Sequence, residues 1–367
     1  MLIMAKTAQQ TLPRPKVRNS NLELYRIIVM LAIVAHHYVV NSGLMSLMDA
    51  DPLNPKSIFL YLVGMWGKTG INCFVLITGY IMCKSEITLR KFLKLLLEIE
   101  FYNIVIHLVF VACGYIDFSL SSFLWLLFPV HGISDDFVSC YMVFFLFIPF
   151  LNVLIRHLNR NQHITLIMLC VGIYSLFNWM PGVEVTSNDS IWFCILYIIS
   201  SYLRLYPIKK DGSVGFWRWM TIFSLLIAMT SVYALLYLAR YGVHLGAYAT
   251  IGWPSAPLAL FVSICVFMFF KDLNIKQSKI INTIGGGTFA VLLIHANSNT
   301  MRQWLWRDLC DNVGHYATNM IYIHAILIPI AVFIVCSLIE YIRMKTIEKP
   351  LIDCTYNLIR KYLPNAK

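Results

Sequence analysis

The chain has 367 residues, of which 59% are hydrophobic and only 13% charged. Soluble domains carry roughly 25% charged residues, so this chain lacks the polar surface that a soluble globule must show to water. That excludes a cytosolic enzyme, a nucleic-acid binder and a disordered protein, despite a net charge of +11, and leaves a polytopic membrane protein with lipid against its outer face.

In chain order, residues 1–20 are polar and basic, with Pro13 and Pro15, and read as a flexible cytoplasmic tail. Apolar stretches of membrane-crossing length then recur at 22–42, 62–83, 91–113, 137–155, 162–180, 190–207, 217–239, 254–270, 281–299 and 318–342. A spanning helix needs about 20 residues at about 1.5 Å rise each. Long alternating strand patterns of the barrel type are absent. The expected fold is therefore all-α, a transmembrane helical bundle of about ten spans over a single membrane domain, 21–345, followed by a cytoplasmic tail, 346–367. The stretch 119–130 is apolar but too short to cross, and is expected to lie at the interface or re-enter. No small-residue cleavage site follows the first apolar run, which reads as a span rather than a cleaved signal.

The basic residues orient the bundle. Of the 29 Lys and Arg, all but Arg26, Lys56, Lys68, Arg240, Arg302 and Arg307 fall in segments on the side of the N-terminus. Positive charge marks the cytoplasmic side, so both termini are expected there. The segments used in this reading include Lys6, Arg14 and Lys16, Lys209 and Lys210, and Lys367. Acidic residues such as Asp49, Asp135, Asp136, Glu184 and Asp308 fall on the other side. The ten cysteines are scattered through spans without a CxxC pair. They read as small apolar side chains. No zinc or iron–sulfur spacing is present, and no metal is expected.

Polar groups inside lipid are costly, by about 2.5–3.5 kcal/mol for a central charge, so each one points to a packed polar contact or a site. The first span runs Asn21-Leu-Glu-Leu-Tyr-Arg26 and continues to His37. Eleven residues are close to three helical turns, which puts Arg26 and His37 on one face about 16 Å apart along the axis. Arg26 sits near the cytoplasmic end and suits an anionic group. His37 lies in the far half and suits proton transfer, because imidazole titrates near neutrality. The same spacing also fits an arginine snorkelling to headgroups and a histidine bridging helices. His36 points about 100° away from His37, so only one of the two is expected to face the site.

The second span carries Gly70, Asn72, Thr78 and Gly79, which allow close helix approach and interhelical hydrogen bonds, and Asn72 and Tyr80 are site candidates. Arg90, Lys91 and Lys94 then cluster at the inner end of the third span. They serve positive-inside topology or a phosphate site at the membrane surface. Glu98 and Glu100 need partners in lipid, with Arg90, Lys94 or Arg26 in reach. The ninth span begins with Gly285, Gly286 and Gly287 and ends with His295, Asn297 and Asn299, so His295 and Asn297 are further site candidates. His107, His324 and Glu340 read as structural. The run His131-Gly-Ile-Ser-Asp-Asp136 fits the H-x4-D pattern of soluble glycerolipid acyltransferases but lies in an external loop. It reads as a decoy, with Asp135 and Asp136 available for a sugar or a cation.

These motifs together resemble the acyltransferase family 3 membrane proteins, and are similar to the O-acetyltransferases of bacterial surface polysaccharides. The resemblance covers about 20–360. Its best pieces are Asn21 to Arg26 with His37 and Tyr38, Gly70 to Tyr80, the basic cluster, Phe144 to Asn152, and Thr288 to His295. It implies acetyl-coenzyme A as donor, no metal, and a hydroxyl of a glycan or lipid-linked sugar as acceptor. Membrane lipids and polysaccharide-biosynthesis proteins are the expected partners, and nucleic acid is not. It implies an integral protein of the bacterial inner membrane. His37 would be the general base or an acyl relay. Arg26 would hold coenzyme A or orient the site, with Arg90, Lys91 and Lys94 on its phosphates. Lysine in place of the family's arginines departs from its pattern, as do Ser139 and Cys140 where an aromatic is expected. The chain ends soon after its last span, so the esterase-like domain of some members is not expected. A transporter or flippase is the alternative, though no matching pair of Gly/Pro-broken helices is visible.

Overall fold

A computed structural model describes residues 18–133, 136–180, 182–183, 185, 188–207, 213–243 and 245–362. Residues 1–17, Asp135, Glu184, Lys209, Lys210 and Lys367, which entered the readings above, lie outside the described residues. Among those described, every regular element is helical. The first half comprises α1 (Ser20–Val40), α2 (Leu44–Ala50), α3 (Pro55–Gly64), α4 (Gly67–Met82), α5 (Leu89–Ala112), α6 (Leu120–Leu126), α7 (Phe137–His157) and α8 (Arg160–Val171). The second comprises α9 (Asp189–Leu205), α10 (Ser213–Ala239), α11 (Pro257–Asp272), α12 (Lys279–Gly286), α13 (Thr288–His295), α14 (Asn299–Gln303), α15 (Asn312–Tyr316), α16 (Ile321–Thr346) and α17 (Glu348–Tyr362).

Local chemistry sets the ends of these helices. Asn19 caps α1 by accepting from Asn21 N at 2.9 Å. Thr88 caps α5, and Asn159 and Gln162 form a reciprocal capping box on α8. Pro55 and Pro257 open α3 and α11, where a missing N–H costs nothing. Pro149 and Pro329 sit inside α7 and α16, a placement that membrane helices tolerate when neighbours satisfy the freed carbonyl.

All ten apolar segments contain helix, but they do not make ten equal spans. Seven helices are long and apolar enough to cross a membrane, or eight if one bent pair counts as a span. The helices α9, with 17 residues, and α11, with 16, fall short of the about 20 residues a span needs. The expected second span is really α3 and α4 joined at Met65 and Trp66. The expected ninth span is interrupted at Gly287, and beyond His295 the chain turns by 92° into the segment Asn299–Leu309. Broken backbone at membrane depth occurs where it is buried in protein or lines a cavity, and this break does both. The expected short piece at 119–130 forms α6, which packs on α5.

Helix α1 is the hub, packing against α3, α4, α11, α12, α13 and α16. Small residues let its neighbours approach. A Cβ on Gly70 would lie 2.7 Å from Ile33 Cγ1 of α1, and one on Gly79 would strike Ser200 of α9. A Cβ on Gly285 would stand 2.7 Å from both the Cβ and the backbone oxygen of Glu23, one on Gly286 would strike Arg18, and one on Gly287 would stand 2.9 Å from Glu340 Cγ. The three glycines therefore let α12 and its junction with α13 press against Arg18, Glu23 of α1 and Glu340 of α16.

Candidate active site

Two polar layers occupy opposite ends of this bundle. At the end where α1 and α5 begin, Glu23 is buried and takes Arg18 at 3.3 Å and Arg26 at 3.2 Å. Nearby, Arg343 of α16 makes bonds of 2.7 and 2.8 Å to the two oxygens of Glu340, and 3.0 Å to Glu348. Tyr102 donates to Glu340 at 2.7 Å. The partner of Glu98 is Arg343 at 3.9 Å, rather than Arg90, Lys94 or Arg26 as spacing suggested. The arginine comes from α16, and pairing between helices is not encoded in spacing within one helix. Both carboxylate oxygens of Glu100 are buried without a partner among the described residues.

The basic cluster sits at this same end and is already engaged. Arg90 pairs with Asp353 and stacks on Tyr356, and Lys94 pairs with Glu348 at 2.7 Å. Lys91 donates to the backbone oxygen of Glu86. The expected C-terminal tail thus contains a helix, α17, whose carboxylates occupy two of the three cations proposed for phosphate, Arg90 and Lys94.

At the other end lies a cavity of about 560 Å³, within the range of about 300–1,000 Å³ usual for small-molecule sites. His37, near the end of α1, is at its wall. His37 Nδ1 lies 2.9 Å from His295 Nε2, with ring centroids 5.1 Å apart. His295 is fully buried on the last turn of α13, and its Nδ1 meets the carbonyl of Val291. That chain of contacts fixes the protons. A carbonyl only accepts, so His295 Nδ1 carries the hydrogen and its Nε2 is left as an acceptor. His37 Nδ1 must then donate, which leaves His37 Nε2 with a free lone pair. No described residue hydrogen-bonds that atom.

His36 lines the cavity as well, against the expectation that only one of the two would. Its Nδ1 meets the carbonyl of Gly64, and its ring lies where a Cβ of Gly67 would be. The rings do diverge, one toward α3 and α4 and the other toward α13. The cavity is wide enough to touch both. Asn297 lines it too and donates to Asn103 at 3.1 Å.

Other expected residues lie elsewhere. Arg26 does not line the cavity. It lies about three turns from His37 along α1, and Met30 and Ile33 on the intervening turns line the cavity. Asn72 fastens three segments, donating to Pro254 O at 2.7 Å and accepting from Trp192 Nε1 at 2.9 Å. Tyr80 receives Arg204 at 2.9 Å, with the guanidinium 4.6 Å from the ring centroid.

The cavity also recruits residues that sequence reasoning had set aside or missed. His131 and Asp136 both line it, together with Trp125 from α6, Lys68 and Arg302. No hydrogen bond joins His131 to Asp136 among the described residues. Asp136 Oδ2 instead caps α7, accepting from Ser139 N at 2.8 Å and Ser139 Oγ at 3.0 Å. The H-x4-D residues are therefore not hydrogen-bonded to one another as a dyad. Lys68 and Arg302 had a signal in the sequence, being two of the few cations on the outer side.

Among known proteins, a family described as an acyltransferase domain matches residues 19–341. No curated protein and no solved structure matches the chain.

Proposed function

The chain belongs to the acyltransferase family 3 of membrane proteins, and on that premise we propose that it moves an acetyl group from acetyl-coenzyme A to a hydroxyl of a cell-surface glycan or of its lipid-linked precursor. One observation carries the reading: His37, locked in one tautomer by His295, presents a free Nε2 at a wall of the cavity.

The proposed chemistry uses that lone pair. An acceptor hydroxyl gives its proton to His37 Nε2 as its oxygen attacks the thioester carbonyl carbon. The carbon–sulfur bond breaks, and the proton passes from the imidazolium to the departing thiolate. His295 stabilises the imidazolium by accepting from Nδ1, the orienting role a carboxylate plays in serine hydrolases. The same atom would carry the acyl group in a covalent relay. Base catalysis is the reading favoured here, since it needs only the proton arrangement that the two histidines fix.

Sidedness follows from charge. The end with Arg90, Lys91 and Lys94 is the basic one, which the positive-inside rule assigns to the cytoplasm, and the cavity lies at the opposite end. Coenzyme A phosphates at the basic cluster would replace Asp353 and Glu348 as partners. In this reading Arg26, which stands below His37 on the same helix and pairs with Glu23, would steer the donor. The setting we propose is a bacterial inner membrane, among lipids and polysaccharide-biosynthesis proteins. A transporter would not need a histidine held in one protonation pattern.

The test compares glycans from cells with and without this protein by mass. We expect glycans heavier by one acetyl group only where the protein is present, and acetyl label to pass from acetyl-coenzyme A to that glycan in membranes. Identical glycans with and without the protein overturn the reading.

A further inference from the structure

The cations lining the cavity lack the carboxylate partners that the other interior cations have. Elsewhere, interior cations meet carboxylates: Arg26 meets Glu23, and Arg343 meets Glu340 and Glu348. The cavity lining holds two cations, Lys68 and Arg302, against one carboxylate, Asp136. Among the described residues neither cation lies within 4.0 Å of a carboxylate. Asp136 Oδ2 is taken by the cap of α7.

Arg302 is held in place by neutral groups alone. Its Nη1 donates to Asn299 Oδ1 at 3.3 Å and its Nη2 to Ala296 O at 3.3 Å. Its Nε is buried without a partner. A guanidinium fixed in this way, with a donor to spare, suits the flat fork of a carboxylate or phosphate. Lys68 is the second residue of α4, where the helix N-terminus adds further positive potential. Two cations without a carboxylate partner in one cavity wall gain from an anion between them. Beside them stand the amides of Asn103, Asn297 and Asn299, suited to sugar hydroxyls.

We propose that the acceptor is an anionic sugar, whose carboxylate or phosphate is held by Lys68 and Arg302 while a neighbouring hydroxyl is presented to His37. The inference rests on the reading that the cavity takes a glycan. A negative charge also develops on the acyl carbonyl oxygen during transfer, but that charge arises at one point beside His37. The two cations come from separate elements, the first turn of α4 and α14, which suits a group on the far side of a sugar ring.

The purified full chain is titrated in detergent with three probes: methyl glucoside, methyl glucuronoside and glucose 6-phosphate. We expect one or both charged sugars to bind at least about tenfold more tightly than the neutral one, the scale of a hydrogen bond to a charged group. Which charged sugar wins separates a carboxylate from a phosphate acceptor. Lys68→Gln and Arg302→Gln are each expected to remove most of that preference, and Lys68→Arg to keep it. Melting temperatures verify that the variants fold. Equal binding of all three sugars, or a preference that survives both Gln variants, overturns the inference and leaves acyl transfer to a glycan standing. Binding of none of the three overturns the glycan reading with it. Unchanged sugar binding, with kcat lowered equally on neutral and charged acceptors, assigns the cations to the carbonyl oxygen and overturns the inference alone.

Discussion

Replacing His295 tests the proton arrangement at the site. In His295→Ala, His37 Nδ1 loses the acceptor that lies 2.9 Å away, on a side of the ring that no other described residue hydrogen-bonds. Two effects follow. The developing imidazolium loses a charge-assisted hydrogen bond, worth about 1.5–3 kcal/mol. At about 1.4 kcal/mol per tenfold, that is a loss of about one to two orders of magnitude in kcat. The tautomer preference is lost as well, so part of the enzyme presents Nδ1–H to the wrong side and the loss grows further. His295→Gln separates the causes, because a side-chain carbonyl can still accept from Nδ1. It is expected to recover much of the rate, with KM for the acceptor little changed in both variants. The assay is transfer of labelled acetyl from acetyl-coenzyme A to glycan in membranes, with protein levels matched. A His295→Ala rate within about threefold of the parent, well below the effect of one such bond, would refute the reasoning. A Gln variant no better than the Ala variant would refute the tautomer part of it.

Three further outcomes are expected. Gly285→Ala places a Cβ 2.7 Å from the backbone oxygen of Glu23, which has no room to yield. Overpacking of this kind costs about 1–3 kcal/mol, read as a lower melting temperature in detergent, and an unchanged value would show that α12 does not press on α1. Asp353→Asn releases Arg90 from its exposed ion pair, a pair of a class worth about 0.2–1 kcal/mol. The KM for acetyl-coenzyme A should fall by less than about fivefold, and a rise would show that the cluster does not bind the donor. His131→Ala should retain kcat within about tenfold, short of the loss that follows removal of a general base, whereas a loss like that of a His37 variant would move the base to His131.

Much of the architecture was legible because hydropathy and helix periodicity are local. Every apolar segment contains helix, and Arg26 and His37 do stand on the hub helix. The number of crossings was less legible, since the break at Gly287 and the turn after His295 depend on how α12 and α13 pack against α1 and α16. The site was legible in its histidines and less so in its company. His37 and His295 were both visible as polar residues in apolar runs, but their contact joins α1 to α13. His131 and Trp125 come to the cavity through a loop and a short helix that fold back over it, and no periodicity announces that. The basic cluster was visible as a charge pattern. Its neutralisation by α17 was not, because Asp353 and Glu348 reach it only through the tertiary fold.

The most direct measurement is acetyl transfer by His37→Ala. Labelled acetyl-coenzyme A is supplied to membranes holding equal amounts of parent and variant, and acetyl on the glycan is counted. General base catalysis contributes about 10²–10⁴-fold, so the account predicts that the variant falls by at least about two orders of magnitude while remaining folded. A variant that acetylates the glycan at the parent rate would contradict it.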